Sequence, residues 1–394
     1  MAYNFHFDPV DLPPEAKELR QEVRAFLRQE IEAGMFAPDS ERAPFSIAKA
    51  FARKVGAKGW IGMTWPKEYG GHERSHLERY VVIEEMLAHR APTRAYSTAD
   101  RQSGPVILRY GQEEIKRSIV PRIASGELCF CIGLSEPNSG SDVFAASTRA
   151  TKTDGGWLVN GRKIWTSNAH NSDYMIALLR TSPSTEENRR HGLTQFLIAC
   201  KSPGITIRPI VNLTGGHDFN EIFFDDVFVP DEDVVGPVDA GWTVARATLG
   251  NESVSIGGGD GGMTMPARAF IAPLDAHPER LAGGAGRVGR HIARTQALAV
   301  LNQRSAYRAV AGGAPGPEGN IAKLLLSELG HETAAIMAEL AGPDGAFLEG
   351  AGGMAASLVL MNRAMSIAGG TSEIKRNQIA ERILGLPRDP LINN

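Results

Sequence analysis

With 394 residues, 42% of them hydrophobic and 22% charged, the chain has the length for two or three domains and ample apolar material for their cores. Its formal net charge of −3, with acids and bases interspersed, offers no footing for nucleic acid or an anionic membrane. Three cysteines, Cys129, Cys131 and Cys200, with no C-x-x-C pair and no fourth partner, argue against a disulfide framework and against a zinc site, and no metal is expected. The first ten residues, MAYNFHFDPV, lack the apolar stretch of a secretory signal, and no run of about 18 apolar residues suggests a membrane span. The expectation is a cytoplasmic protein with reduced thiols.

Residues 15–34 open the chain as an amphipathic helix. Leu19, Val23, Phe26, Leu27 and Ile31 recur at helical spacing, Pro13-Pro14 precede them and Gly34 can end the run. Helical patterns broken by loops such as TWPKEYGG (64–71) continue to about residue 125. Between 128 and about 229 the period changes. LCFCIGL, GWLVNGRKIWT, YMIALLR, LTQFLIA, GITIRPI and NEIFFDDVFVP read as strands, and TDGGW (153–157) reads as a hairpin turn. Helical spacing returns from 241, with long candidates over 241–256, 287–311, 317–341 and 354–384. Gly-rich stretches at 257–262 and 283–286 separate helices.

GAGRVG (284–289) matches the glycine pattern of a dinucleotide-binding turn. It lacks a preceding apolar strand, a βαβ setting and a downstream acid, so it reads as the loop that starts a helix. IGLSEPNSGSD (132–142) is different. It follows the strand LCFC, and its hydroxyls and backbone N–H groups form a tight turn that suits an anion such as a pyrophosphate. An ordinary Ser/Gly turn has the same residues, and the turn alone does not choose between the two. About 25 residues on, NGRKIWTSNA (160–169) sets Trp165 beside Thr166 and Ser167. A strand Trp is usually core; flanked by hydroxyls it could instead stack on a flat heterocycle.

TWPKEYGG, ILRYGQEEIKRSIVPRIASGEL (107–128), GLSEPNSGSD, NGRKIWTSNA, FFDDVFVP (223–230) and GGTSEIKRNQIAERILG (369–385) together resemble the acyl-CoA dehydrogenase family, in order and in rough spacing over nearly the whole chain. The resemblance implies an α+β fold: a helical N-terminal domain (1–127), a β-barrel or sandwich middle domain (128–238) and a C-terminal helical bundle (239–394), with FAD as cofactor. It puts Ile132, Leu134 and Ser135 against the isoalloxazine, Gly140 and Ser141 at the pyrophosphate, and Trp165 and Ser167 along the ring. Gly370, Thr371 and Glu373 of GGTSEI, and Gly342 of AGPDG (341–345), would reach FAD near a subunit interface. The implied substrate is an acyl-CoA thioester, with an electron-transfer flavoprotein as electron acceptor. The implied assembly is a homodimer or homotetramer, or a heterotetramer with a related subunit.

The family reaction removes an α-proton to a carboxylate while the β-hydride leaves for flavin N5. Many members place that base directly before Gly-Thr. This chain has Ala368-Gly369-Gly370-Thr371, so the base is missing there. A second family location is the first long helix of the C-terminal domain. In WTVARATLGNESVSIGGG (242–259), Ala245, Leu249 and Ile256 form an apolar stripe, and Glu252 falls on it seven residues after Ala245. A carboxylate on a buried face is either paired or functional; the vacancy at 369 makes Glu252 the candidate base. Two departures stand out: Ser253 replaces the Arg that usually follows, and ERLAGGAGRVGR (279–290) lacks the family's Arg-x-x-Phe-Gly element. Two rivals are a flavin oxidase or monooxygenase on the same fold, and a partner subunit of a heteromeric enzyme with little activity alone. LTGGHDFNEIFFDDVFVP (213–230), GNESVSIGGG and APGPEGNIAKLLLSELG (314–330) resemble the actinobacterial sterol- and side-chain-degrading branch, which implies a branched or ring-bearing acyl group.

Overall fold

The computed structural model describes residues 12–38, 43–185, 188–246, 268–310 and 318–388. They form two compact units, one drawing on 1–38, 74–91 and 253–394 and the other on 39–73 and 92–252.

The second unit carries eight strands: β1 (Phe130–Gly133), β2 (Arg149–Thr153), β3 (Gly156–Ser167), β4 (Tyr174–Arg180), β5 (Leu193–Ala199), β6 (Ile205–Ile210), β7 (Phe219–Pro230) and β8 (Val234–Val235). They join one mixed sheet in the order β6-β7-β3-β2-β4-β5-β8, with β1 parallel to β4 beside it. The sheet folds back on itself. Trp157 of β3 and Phe196 of β5 are separated by two whole strands in the ladder, β2 and β4, yet their rings pack edge to face at 5.5 Å. One core therefore collects Ala150, Val159, Met175, Ala177, Ile198, Ile222 and Val227 from five strands. Burying such side chains supplies roughly 1.5–3 kcal/mol each for the larger ones. β4 and β5 coincide with the strands expected from YMIALLR and LTQFLIA, because both faces of these two strands are buried. The TDGGW turn does join a hairpin, with Gly155 at φ +70°. β2 and β8 are additions: RATKT is too polar, and Val-Val too short, to stand out as strands.

The first unit is helical. α1 (Pro14–Glu32) buries Leu19, Val23, Phe26 and Leu27, as its spacing predicts. Helices α2 (Phe45–Ala57), α4 (Gly104–Tyr110), α5 (Glu113–Ala124) and α6, described over 241–246, belong to the sheet unit. α3 (His76–Ala88) packs on α1, where Arg24 meets the buried Glu85 at 2.9 Å. Further on come α7 (Arg268–Ala276), α8 (Gly284–Val310), α9 (Glu318–Ala341), α10 (Gly353–Met361) and α11 (Ser372–Arg382). GAGRVG, read as the loop that starts a helix, lies within the start of α8 itself. The single helix expected over 354–384 is broken. A 3-10 turn (Asn362–Ser366) follows α10, then Gly369 and Gly370 take φ +66° and +90°, left-handed values that end any right-handed helix. Among the described residues, no helix is long and apolar enough to cross a membrane.

Candidate functional site

In the sheet unit the sequence-predicted residues converge on the ends of β1 and β3. Ile132 lies in β1. Leu134 and Ser135 follow it, both half-buried, with Leu134 packed near Phe144, Trp242 and the buried Ala245. The Ser135 carbonyl accepts the backbone N–H of Ile164 at 2.9 Å, so the turn after β1 lies directly beside Trp165.

Trp165 is the unusual residue of this rim. It holds φ +60°, a left-handed conformation that is a genuine outlier for a bulky side chain, and its side chain is 58% exposed. The cause is a bulge. Lys163 pairs with Ile222 and Thr166 with Asn220, so β3 carries one extra residue against β7. Lys163 faces inward with Trp157 and Val159, and the bulge after it turns Thr166 in and Trp165 and Ser167 out. The Trp165 ring meets Phe219 edge to face at 6.1 Å. Strain of this kind persists where the surroundings over-determine it, which is characteristic of functional sites.

Beneath the rim lies an ion pair that strand alternation did not reveal. Lys163 is fully buried; its Nζ donates to Glu136 Oε1 at 2.7 Å and to the Leu134 carbonyl at 3.2 Å. The Glu136 carboxylate also accepts Ser147 N–H (2.7 Å), Ser147 Oγ (2.8 Å) and Thr148 N–H (3.0 Å). Burial pushes the Glu136 pKa up, but Lys163 and these hydrogen bonds outweigh it and hold the carboxyl at about 2. Burial depresses the Lys163 pKa, with Glu136 offsetting only part of that cost. The pair is therefore worth less than the carboxylate shift alone implies. The signal available in sequence was the Glu before Pro137 and the Lys two residues before Trp165.

Gly140 and Ser141 are exposed on the loop that Glu136 closes, and a Cβ added at Gly140 meets nothing within 4 Å. Arg180 anchors the far side of the loop, donating to the carbonyls of Phe144 (2.6 Å) and Ala146 (3.1 Å). An exposed indole, outward hydroxyls and an open glycine turn suit a flat heterocycle attached to an anion.

Gly342, Gly370, Thr371 and Glu373 belong to the helical unit. Gly342, at φ +61°, opens the 3-10 turn Gly342–Ala346. Thr371 caps α11, its Oγ1 accepting Ile374 N–H at 3.2 Å, and Glu373 is exposed in the first helical turn. Three residues of α9 fasten the approach to this turn. Lys323 donates to the Met365 carbonyl at 2.8 Å, Ser327 lies 3.3 Å from Ser366 Oγ, and His331 Nε2 bonds the same hydroxyl. Glu252 and Ser253 lie outside the described residues. Ala245, where the stripe leading to Glu252 begins, is buried. Among the described residues no group of three or more His, Cys, Asp or Glu could hold a metal ion.

Three family models match in tandem: acyl-CoA dehydrogenase N-terminal domain over 13–127, middle domain over 131–227 and C-terminal domain over 239–384. The chain belongs to the acyl-CoA dehydrogenase family. It is 33% identical over 397 residues to acyl-CoA dehydrogenase IpdE1 of Mycobacterium tuberculosis, covering 95% of this chain and 99% of that protein. It is 37% identical over 330 residues to acyl-CoA dehydrogenase FadE34 of the same organism, covering 84% of this chain but only 45% of FadE34. Among solved structures, the Tcur3481-Tcur3483 steroid ACAD aligns with a TM-score of 0.81 at 26% identity, over 96% of this chain and 99% of that one. The ChsE4-ChsE5 complex of Mycobacterium tuberculosis aligns with a TM-score of 0.77 at 26% identity, over 97% and 100%. The resemblance read from six motifs thus holds along the chain.

Proposed function

We propose that the protein is a cytoplasmic FAD-dependent acyl-CoA dehydrogenase for a branched or ring-bearing acyl-CoA, organised as domains 1–127, 128–238 and 239–394. The observation that carries the reading is Trp165, strained, exposed and bulged out beside Ser135 in a family member. Ile132, Leu134 and Ser135 line one side of the FAD site, Trp165 and Ser167 another, and Gly140 and Ser141 face the pyrophosphate. FAD, when bound, supplies the acceptor for the hydride that leaves Cβ. Glu252 takes the α-proton. Its place on the sequence stripe that starts at the buried Ala245 supports this role.

Assembly with a second chain follows from exposed apolar residues near the two motifs of the helical unit. Phe347 (64% exposed) and Leu348 follow AGPDG, and Ile367 (66% exposed) precedes GGTSEI. Gly342, Gly370, Thr371 and Glu373 would then complete the site near that interface, with an electron-transfer flavoprotein as acceptor. The similarity to ChsE4-ChsE5 and to Tcur3481-Tcur3483, each named as a pair of chains, favours a related subunit as the partner.

The test is the absorbance spectrum of the purified protein, followed by anaerobic titration with branched and ring-bearing acyl-CoAs. Bound FAD that bleaches with one of them supports the reading; a protein that takes up no FAD, alone or with its partner subunit, removes it. Glu252→Gln is expected to keep the colour and acyl-CoA binding but to slow bleaching by a factor on the order of 10²–10⁴. Unchanged bleaching would take Glu252 out of the mechanism.

A further inference from the structure

We propose that the buried Glu136–Lys163 pair is the positioning device of the cofactor site: it fastens the Leu134–Glu136 turn to β3, sets Ser135 against Trp165 and closes the loop that presents Gly140 and Ser141. The inference rests on the reading that FAD occupies this rim. A buried ammonium contributes little net stability, since its desolvation offsets the attraction to its partner, and an apolar side chain of similar volume would fill the same space. What the pair supplies is direction. Lys163 donates to atoms on both sides of Ser135, namely the Leu134 carbonyl and the Glu136 carboxylate. Glu136 in turn accepts three hydrogen bonds from Ser147 and Thr148, so one carboxylate gathers both ends of the 137–146 loop.

The bulge shows why direction is needed. A left-handed Trp reverts to ordinary strand geometry unless its neighbours are held. Trp165 is bracketed on both sides. Lys163 is tied through its side chain, and Ile164 N–H is bound to the Ser135 carbonyl. Beyond it, the Thr166 carbonyl accepts Asn220 Nδ2 at 2.9 Å, and Asn168 N–H reaches the Asp218 carbonyl at 2.8 Å. Of these ties, only the Lys163–Glu136 pair also reaches the glycine loop. It thereby couples the part of the site that meets the ring to the part that meets the phosphates.

Apoprotein is reconstituted with FAD, and the dissociation constant and the visible-region circular dichroism of the bound flavin are measured. Glu136→Gln with Lys163→Met removes both charges; the amide oxygen can still accept from Ser147, while the NH2 takes the place of the oxygen that accepted from Thr148. The double variant is expected to fold, with FAD affinity at least about tenfold weaker and the visible dichroism reshaped. Ser147→Ala, at an exposed residue, removes one of the carboxylate's bonds and is expected to weaken FAD by about two- to fivefold. A role confined to stability would lower the melting temperature and leave both readouts unchanged in the folded protein. Affinity within twofold of wild type and an unaltered dichroism in the double variant overturn the proposal. If the double variant does not fold, the same result in Ser147→Ala overturns it. A wild-type protein that binds no FAD instead removes the underlying reading, and this proposal with it.

Discussion

Trp165 sets a residue's own conformational preference against the use of its side chain. A left-handed backbone costs a bulky residue roughly 1–2 kcal/mol, whereas Asn tolerates it. Trp165→Asn is therefore expected to leave the apoprotein's stability unchanged or slightly higher, with the lost Phe219 contact working against the gain, while FAD affinity falls at least about tenfold. Urea denaturation of the apoprotein and FAD titration measure the two effects separately. Glu136 makes a pH-dependent case. Its folded pKa, about 2, lies below the ordinary carboxylate value of 4.5, so its contribution is complete above about pH 4.5 and is lost as pH falls toward 2. The shift corresponds to about 3 kcal/mol, reduced by the cost of burying Lys163. Urea denaturation of wild type should show that loss, and the Glu136→Gln, Lys163→Met protein should show less of it between pH 4.5 and 2. Trp165 was singled out in the sequence by its flanking hydroxyls, whereas the Glu136–Lys163 pair was not legible there. A lysine in a strand reads as solvated, yet Lys163 shares the inward face of Trp157 and Val159, and the one-residue bulge after it turns Trp165 outward.

At the scale of elements, legibility followed burial. β4 and β5 were plain because both their faces are buried, and α1 because its stripe is continuous. The helix expected over 354–384 failed at its glycines, since periodicity carries no information about φ. The break bears on where a base can stand. Gly369 is left-handed, so Gly369→Glu would add roughly 1–2 kcal/mol of strain to any relocated carboxylate. The short turn Asp231–Asp233, which leads into β8, carries a different tension. Burial, then the charge of Glu232, raises the Asp233 carboxyl to about 6. A carboxyl whose folded pKa is raised contributes most when protonated, and that contribution fades as pH rises from about 4 through 6. Asp233→Asn is expected to add about 1–2 kcal/mol at pH 7.5 and almost nothing below pH 4, read as melting temperature against pH.

For the whole molecule, the family and the fold class were readable from six motifs, while the grouping of helices was not. α1 and α3 belong with the C-terminal helices, which no local pattern announces. The exposed Phe347 and Leu348 belong to this scale too. Phe347→Asp is expected to shift sedimentation toward a smaller species and to lower flavin occupancy, because completion of the site would require the neighbouring chain. An unchanged sedimentation coefficient with full flavin would place the interface elsewhere.

The recruitment of α1 and α3 into a unit finished by the end of the chain has a consequence for birth rather than for catalysis. α3 packs against α8, some 200 residues later in the sequence. At roughly 5–20 residues per second of synthesis, the wait is on the order of 10–40 s. Until then α3, which packs on the apolar stripe of α1, lacks the partner that α8 supplies. The sheet unit is complete in the chain well before the helical one, so the α1–α3 pair is expected to wait beside a finished β-core with one side of α3 uncovered. Stalled nascent chains ending near residue 260 should therefore bind chaperones through α3, His76–Ala88, and chains extended past α8 should release them.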